Sequence, residues 1–193
     1  MSRTQYYCAA TLDGYIADAD DGIDWLTGYE GSFEGGVDGG PMTERGSYER
    51  FYSDVGALVT GSVTYEFVLG HIQSGGSWPY AGKPCWVLSS RELPVPEGEG
   101  VDVRLENASV PELYERMAAS AGERNLWIVG GGNVASQFAD AGLLDDVLLT
   151  VVPVVLGGGK PIFDRGLTGG PMQLTAVTPY GNGMVGLSYR VRR

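Results

Sequence analysis

The sequence has few of the residues that build metal sites. Its 193 residues include one histidine, His71, and two cysteines, Cys8 and Cys85, which do not form a C-x-x-C pair. An ordinary zinc site needs about four closely spaced His, Cys or carboxylate ligands, so this composition predicts no bound metal. Both cysteines stand in apolar runs, which indicates buried free thiols in a reducing compartment.

Positive charge and long apolar runs are also scarce. Thirteen lysines and arginines stand against 24 aspartates and glutamates, for a formal net charge of −11. Nucleic-acid surfaces need clusters of basic residues, so this balance argues against a nucleic-acid partner. No apolar run reaches the length of about 18 residues that spans a bilayer, and no signal peptide opens the chain. We therefore expect a cytoplasmic protein with a small-molecule substrate and no membrane partner.

The chain does have alternating apolar runs and helical patterns. Hydrophobic residues make up 43% of the sequence, which suits one domain over residues 1–193. Apolar runs predict strands at 4–10, 57–61, 83–90, 101–105, 126–129 and 147–157, and helical patterns lie between several of them. This alternation predicts an α/β fold with a mostly parallel sheet and helices on both faces. Two strand patterns around PYGNG predict an antiparallel hairpin at the C-terminal end.

A glycine-rich junction stands between the strand at 126–129 and the helical pattern after it. Residues 130–135, GGGNVA, satisfy G-x-G-x-x-A, the pattern of Rossmann dinucleotide-binding turns. The Rossmann turn follows the first strand of its fold, whereas only about the last third of this chain follows Gly130. The glycines therefore either bring backbone N–H groups to a nucleotide in another architecture or form a tight turn.

Two further strand ends have chemistry that suits anions. Residues 61–64, GSVT, combine a glycine, two hydroxyls and a helix start, and residues 89–91, SSR, add two hydroxyls and an arginine fork. Together with the glycine-rich junction, these strand ends predict one dinucleotide laid across the carboxyl edge of the sheet. Taken alone, residues 89–91 are typical of a solvated turn. The predicted cofactor-binding residues at these ends are Gly61, Ser62, Val63, Thr64, Ser89, Ser90, Arg91, Gly130, Gly131, Gly132, Asn133 and Val134.

Five segments in this order resemble the dihydrofolate reductase superfamily: TLDGYIAD, GALVTGSVTYE, KPCWVLSSR, LWIVGGGNVASQF and LLTVVPVVLGGGKPIF. The resemblance runs from about residue 4 to the end. It is strongest to stand-alone relatives of the C-terminal reductase domain of the bifunctional riboflavin-biosynthesis deaminase-reductase. It implies a three-layer fold around a sheet of about eight strands, NADPH as the cofactor, and a homodimer.

The same resemblance implies a role for each junction. The glycine–x–x–threonine turn at 61–64 would hold phosphates, residues 89–91 would meet the adenosine 2′-phosphate, and residues 130–134 would contact the pyrophosphate and nicotinamide side. Ala10 and the stretch 15–17, which includes Ala17, would flank the nicotinamide.

The sequence also departs from these relatives. Ser62 stands where folate reductases usually have a basic residue, and Lys83 stands where they have an arginine for the folate tail. Their pterin-binding carboxylate has only loose counterparts here, at Glu30, Asp38 and Glu44. The deaminase half of the bifunctional enzyme, with its H-x-E and C-x-x-C zinc pattern, is absent.

These observations predict an NADPH-dependent reductase that transfers hydride to a C=N or C=O carbon of a small heterocyclic or sugar-bearing substrate. Asp13 is the first candidate for the proton-donating carboxylate, although an Asp-Gly turn explains it equally well. Asp24 and Glu44 follow as candidates, and an ordered water is the alternative. Trp25 and Thr150 are predicted on the substrate side.

Three alternatives stay open at this point. The enzyme alternative is dihydrofolate or pterin reduction. The alternative from another class is a nucleotide-binding protein without turnover, and a flavin or deazaflavin could occupy the same edge of the sheet.

Overall fold

The computed structural model describes residues 2–29, 44–180 and 183–192, with the backbone alone for residues 44–47. Two of the candidate carboxylates, Glu30 and Asp38, lie outside the described residues. For Glu44 only the backbone position is given, at the first residue of a helix.

The described secondary structure alternates strands and helices. The strands are β1 (Thr4–Thr11), β2 (Tyr15–Ala17), β3 (Val55–Gly61), β4 (Cys85–Leu88), β5 (Val103–Glu106), β6 (Asn125–Gly130), β7 (Asp146–Val152), β8 (Lys160–Pro161), β9 (Gln173–Pro179) and β10 (Val185–Arg190). The helices are α1 (Asp24–Thr27), α2 (Glu44–Asp54), α3 (Ser62–Gln73), α4 (Val110–Ala121) and α5 (Gly132–Asp140).

Eight of these strands form one sheet in the order β5-β4-β3-β6-β1-β7-β10-β9, while β2 and β8 pair separately. Every neighbouring pair from β5 to β7 is parallel, and β10 is antiparallel to both β7 and β9. The predicted fold class is therefore confirmed, including the antiparallel hairpin at the C-terminal end.

The central strands are buried on both faces, which is why they appear in the sequence as continuous apolar runs. In β3, Leu58 packs in one core cluster with Tyr65 and Leu69 of α3. Its neighbour Val59 belongs to the opposite cluster, with Met117 of α4 and others from α5. Because successive strand residues point to opposite faces, helices are needed on both sides of the sheet.

The strand predicted over residues 147–157 is wrong in its second half. Strand β7 ends at Val152, directly before Pro153, which cannot donate a backbone hydrogen bond to a neighbouring strand. Beyond the proline the chain runs beside the end of β1, where the N–H of Leu12 donates to the carbonyl of Val154 at 2.9 Å. Further along, β8 returns to pair with β2. The second half of the apolar run thus becomes a loop beside the start of the chain.

Candidate functional site

A cleft of about 810 Å³ opens at the carboxyl edge of the parallel strands. Strands β3, β4 and β6 are parallel neighbours, so the three predicted junctions that follow them meet at one edge. Residues 61–64, the serines at 89 and 90, and residues 130–134 all line the cleft. The structure therefore brings together the predicted cofactor-binding residues at these ends, with Arg91 as the exception.

Two helices begin at this cleft without a side-chain cap. Helix α3 starts at Ser62 after Gly61, and α5 starts at Gly132 after Gly131, and neither helix has an acidic residue in its first turn. The first N–H groups of a helix have no partner within the helix, and the helix dipole makes this end positive. Both helix starts are therefore suited to a bound anion such as a phosphate.

The glycines at these junctions allow close packing within the protein. A Cβ atom on Gly132 would lie 2.6 Å from the carbonyl oxygen of Pro161, and one on Gly61 would lie 3.2 Å from a methyl group of Val134. Gly130 has a φ of +155°, which side chains rarely adopt, and its peptide bond to Gly131 is cis. The glycines thus let α5 start against β8 and beside the start of α3.

The side chain of Asn133 is held by protein groups. Its amide nitrogen donates to the carboxylate of Asp164 at 2.5 Å, and its amide oxygen accepts from Gln137 at 2.7 Å. All three residues line the cleft. The contribution of residue 133 to an anion would therefore come from its backbone rather than from its side chain.

Arg91 lies beside the cleft rather than in its lining. Its guanidinium donates to both carboxylate oxygens of Glu66, at 2.9 and 2.7 Å, and its backbone N–H donates to the hydroxyl of Ser89 at 2.9 Å. The arginine predicted to meet a 2′-phosphate is therefore engaged by a carboxylate on α3.

The predicted nicotinamide-side residues divide into two groups. Ala17 lines the cleft, together with Ile16 and Ala9. Ala10 is fully buried and does not line it. Successive residues of a strand point to opposite faces, so an assignment shifted by one residue along β1 moves the side chain to the other face.

Two of the candidate acids, Asp13 and Asp24, do not line the cleft. The carboxylate of Asp13 accepts from the hydroxyl of Thr11 at 2.6 Å and from the N–H of Gly157 at 2.7 Å. These hydrogen bonds, the Thr11 bond above all, lower the pKa of Asp13 below its ordinary value. Asp13 thus ties the turn after β1 to the loop after β7, and Asp24 is an exposed first residue of α1. Neither position supports proton donation into the cleft.

The two predicted substrate-side residues also lie elsewhere. Trp25 packs against the cluster of Val152, Tyr180 and Met184. Thr150 is buried in β7 and lines a separate cavity of about 90 Å³, which shares Tyr7 with the large cleft. Their proposed contact with a substrate stays a prediction.

An aromatic wall that the sequence analysis missed lines the cleft. It consists of Tyr7 on β1, Trp127 on β6 and Tyr80 in the loop before β4. The indole N–H of Trp127 donates to the carbonyl of Tyr7 at 3.0 Å, and the rings of Tyr80 and Trp127 meet edge to face at 5.6 Å. Their apolar strand and loop contexts are the same as those of core aromatics, so the sequence has no signal that separates them.

An apolar rim of the cleft on α3 consists of Val63, which was among the predicted cofactor-binding residues, and Phe67, which was not. Val63 and Phe67 both line the cleft and are 52% and 45% exposed. They stand four residues apart, on the helix face away from the buried residues Tyr65 and Leu69. Exposed apolar residues at this spacing indicate a surface that a ligand covers.

The cleft also contains a thiol and one ion pair. Burial raises the pKa of the Cys8 thiol to about 12, so this cleft residue is a neutral thiol at physiological pH. Lys160 lines the cleft at 3.5 Å from the carboxylate of Asp21.

Within the described residues, no cluster of three or more His, Cys, Asp or Glu side chains is arranged for a metal. In the same part of the chain, no helix has the length and apolar character needed to cross a membrane.

Comparison with known proteins assigns the chain to a family. Residues 78–186 match the family described as the RibD C-terminal domain. The chain is 32% identical over 162 residues to the uncharacterized protein YwjB of Bacillus subtilis strain 168, covering 83% of this chain and 82% of that protein. A putative riboflavin biosynthesis protein from Shewanella sp. PV-4 has a similar structure, with a TM-score of 0.77, 26% identity and 99% of each chain covered.

The fold extends to dihydrofolate reductases. The enzyme from Enterococcus faecalis, solved with NADP(H) and RAB-propyl, gives a TM-score of 0.59 at 18% identity, covering 99% of this chain and 97% of that one. With this fold and the sequence match together, the chain belongs to the family of the RibD C-terminal domain.

Proposed function

We propose that this protein is an NADPH-dependent reductase that acts on a small heterocyclic substrate. The observation that carries the proposal is the pair of uncapped helix starts, α3 and α5, which share one cleft with a serine-rich strand end. Membership of the RibD C-terminal domain family supports a reductase, and the similar fold of an NADP(H)-bound dihydrofolate reductase supports the cofactor.

The cleft residues fit the parts of a dinucleotide. The backbone N–H groups at the starts of α3 and α5 would hold the phosphates without lysine. Ser89, Ser90 and Arg91 would meet the 2′-phosphate, and Ala9, Ile16 and Ala17 would flank the nicotinamide, which supplies the hydride when bound. The first-turn hydroxyls Ser62 and Thr64 are additional phosphate donors.

In the aromatic wall, the partly buried ring of Tyr7 is suited to a planar substrate ring, whereas Tyr80 and Trp127, which are 8% and 6% exposed, support it from the core. Such a wall packs against a heterocycle and excludes water from the reacting carbon. The reaction proposed by resemblance is that of 5-amino-6-(5-phosphoribosylamino)uracil reductase, with a C=N or C=O carbon as the hydride acceptor. The proton would come from an ordered water, because Asp13 and Asp24 do not line the cleft.

A second candidate function is nucleotide binding without turnover. It is favoured by the partners of the cleft carboxylates, since Asp21 forms an ion pair with Lys160 and Asp164 accepts a hydrogen bond from the amide of Asn133. Both described cleft carboxylates are thus engaged by protein groups rather than presented to a substrate.

One titration series separates these functions. Purified protein is titrated with NADPH, following the quenching of the fluorescence of its four tryptophans, and is then given NADPH with a panel of pyrimidine and pterin compounds. Saturable NADPH binding and oxidation with a pyrimidine compound support the reductase. Binding without oxidation over the whole panel supports the second candidate, and no binding overturns both.

We further propose that the protein is a homodimer whose interface includes β9. This strand forms the outer edge of the sheet in the described residues, and it exposes Leu174 and Val177 by about half. An exposed apolar edge strand is suited to a second copy across a two-fold axis. We expect a dimer by light scattering at micromolar concentration and a monomer for Val177→Lys, whereas a monomeric wild-type chain would contradict the proposal.

A further inference from the structure

The ion pair beside the cleft joins the two elements that would surround an adenosine 2′-phosphate. Glu66 lies on α3, four residues after Ser62 and therefore on the same face of the helix as the first turn. Arg91 follows the serines of the β4 end. The two side chains meet in a two-point contact at 2.9 and 2.7 Å while remaining 42% and 53% exposed.

This contact uses the part of Arg91 that would grip a phosphate. A guanidinium binds a carboxylate and a phosphate with the same parallel pair of N–H donors. A 2′-phosphate that takes this pair must displace the carboxylate of Glu66 or lie a few ångströms from it. Either outcome weakens phosphate binding, through the lost ion pair or through repulsion between like charges.

The same carboxylate is suited to a ribose without the phosphate. In dinucleotide sites of other folds, an acidic side chain accepts hydrogen bonds from the ribose 2′-hydroxyl of NAD, and an arginine accommodates the 2′-phosphate of NADP. Here both groups are present and are bonded to each other.

We propose that Glu66 is a specificity-determining residue that restrains Arg91 and thereby limits the preference for NADPH over NADH. This inference rests on the proposed function, because it assumes that the cleft binds a nicotinamide dinucleotide. Arg91 remains the source of the preference, and Glu66 sets its size.

The test compares two charge-neutralising variants. Glu66→Gln keeps the shape of the side chain and removes its charge beside Arg91. Asp102→Asn is the matched control, because Asp102 also holds an arginine by two hydrogen bonds, from Nε and Nη2 of Arg104 at 2.8 and 2.7 Å, with similar exposure. Asp102 directly precedes β5 and does not line the cleft. Binding of NADPH, NADH, adenosine 2′,5′-bisphosphate and 5′-AMP is measured by calorimetry, which does not depend on turnover.

We expect Glu66→Gln to tighten the binding of NADPH and of adenosine 2′,5′-bisphosphate by about two- to fivefold, because the phosphate no longer has to break an exposed ion pair to reach the Arg91 guanidinium. NADH and 5′-AMP should bind equally well or more weakly, because the carboxylate that suits their ribose hydroxyl loses its charge, and Asp102→Asn should leave all four constants unchanged. The gain should disappear in the double variant Glu66→Gln/Arg91→Ala, since the freed arginine is its cause.

Two results would overturn the inference in different ways. Unchanged NADPH binding in Glu66→Gln removes the role of Glu66, and an equal gain in the Arg91→Ala background shows that Glu66 repels the phosphate directly and does not act by restraining Arg91. Both results leave the reductase proposal in place. Failure of the wild-type chain to bind any of the four compounds overturns the proposed function, and this inference with it.

Discussion

The N-terminus of helix α4 differs from those of helices α3 and α5 in whether side chains satisfy its first backbone N–H groups. Helix α4 begins with a capping box, in which the hydroxyl of Ser109 and the side chain of Glu112 are 2.7 Å apart and each satisfies a backbone donor of the other's residue. Helices α3 and α5 begin after glycines, with no side-chain cap and no acid in the first turn. Both uncapped starts line the cleft, whereas Ser109 and Glu112 of the capped start do not, although Asn107 and Ala108 directly before them do.

The difference shows where the protein leaves room for a ligand. Glycine at the N-cap costs only about a few tenths of a kcal/mol relative to a capping side chain, so Gly61 and Gly131 leave the first N–H groups of α3 and α5 open at a small loss of stability. A bound anion can satisfy the same N–H groups, and a ligand that binds only the folded chain stabilises it. We therefore interpret the uncapped starts as binding positions and the capped start as a structural one.

The largest effect is expected from placing an anion on an uncapped start. Ser62→Asp adds a carboxylate to the first turn of α3, where it fits the helix dipole and repels a phosphate. We expect NADPH affinity to fall by about 30-fold or more while the melting temperature is unchanged or slightly higher. Calorimetric titration and thermal unfolding of the same sample measure both quantities.

The matched control for this variant is Ser109→Asp. It adds the same charge at the capped start, which directly follows the cleft residue Ala108 but has its N–H groups satisfied by the cap, so NADPH affinity should fall much less than in Ser62→Asp. An equal loss of affinity in both variants would show a general effect of net charge, and no loss in Ser62→Asp would remove α3 from the binding site.

The capped and the uncapped helix N-termini were equally predictable from the sequence. A capping box is a local pattern, and a glycine followed by hydroxyls after an apolar run is also local. The parallel sheet then places the ends of β3, β4 and β6 at one edge, so the meeting of the three junctions was predictable from the alternation of elements.

The contacts that the sequence did not predict join distant residues. Asp13 caps a loop 144 residues away at Gly157, and Arg91 is engaged by Glu66 25 residues earlier. The choice between Ala9 and Ala10 depends on which face of β1 meets the cleft, which a doubly buried strand does not reveal in its pattern. No local signal identifies any of these pairings.

The next effect in size tests why the start of α5 is glycine. In Gly132→Ala the new Cβ would lie 2.6 Å from the carbonyl oxygen of Pro161 and 2.8 Å from that of Ile162, both backbone atoms of a neighbouring segment. We expect a loss of about 1–3 kcal/mol in the free energy of unfolding, together with weaker NADPH binding as the helix start shifts. Urea denaturation with and without NADPH measures both.

Gly70→Ala gives the opposite sign as its control. Gly70 is exposed in α3, and its added Cβ would meet nothing within 4 Å. The variant should gain about 0.5–1 kcal/mol from the lower backbone entropy of the unfolded chain. Equal stability losses in the two variants would mean that the close approach to β8 is not the reason for Gly132.

A smaller effect is expected from removing the cap of α4. Ser109→Ala should cost about 0.5–2 kcal/mol in the free energy of unfolding and leave NADPH affinity unchanged. The same pair of measurements, urea denaturation and titration, applies. A change in NADPH affinity would contradict the division between structural and binding helix starts.

The smallest effect concerns the pH dependence of that cap. Hydrogen bonds from the hydroxyl of Ser109 and from its backbone N–H lower the pKa of Glu112 below its ordinary value. Because the pKa is lower in the folded chain, the stabilisation is fully present above the unfolded pKa of about 4.3 and is lost as the pH falls through the folded pKa. The difference in melting temperature between wild type and Glu112→Gln should therefore be larger at pH 7 than at pH 3.

Since the Ser109 hydroxyl is the main cause of the lowered pKa of Glu112, this pH dependence should shrink when both proteins also contain Ser109→Ala. If it persists at full size in that background, the capping box is not its origin, and the capped start would resemble the two open ones more closely than the geometry indicates.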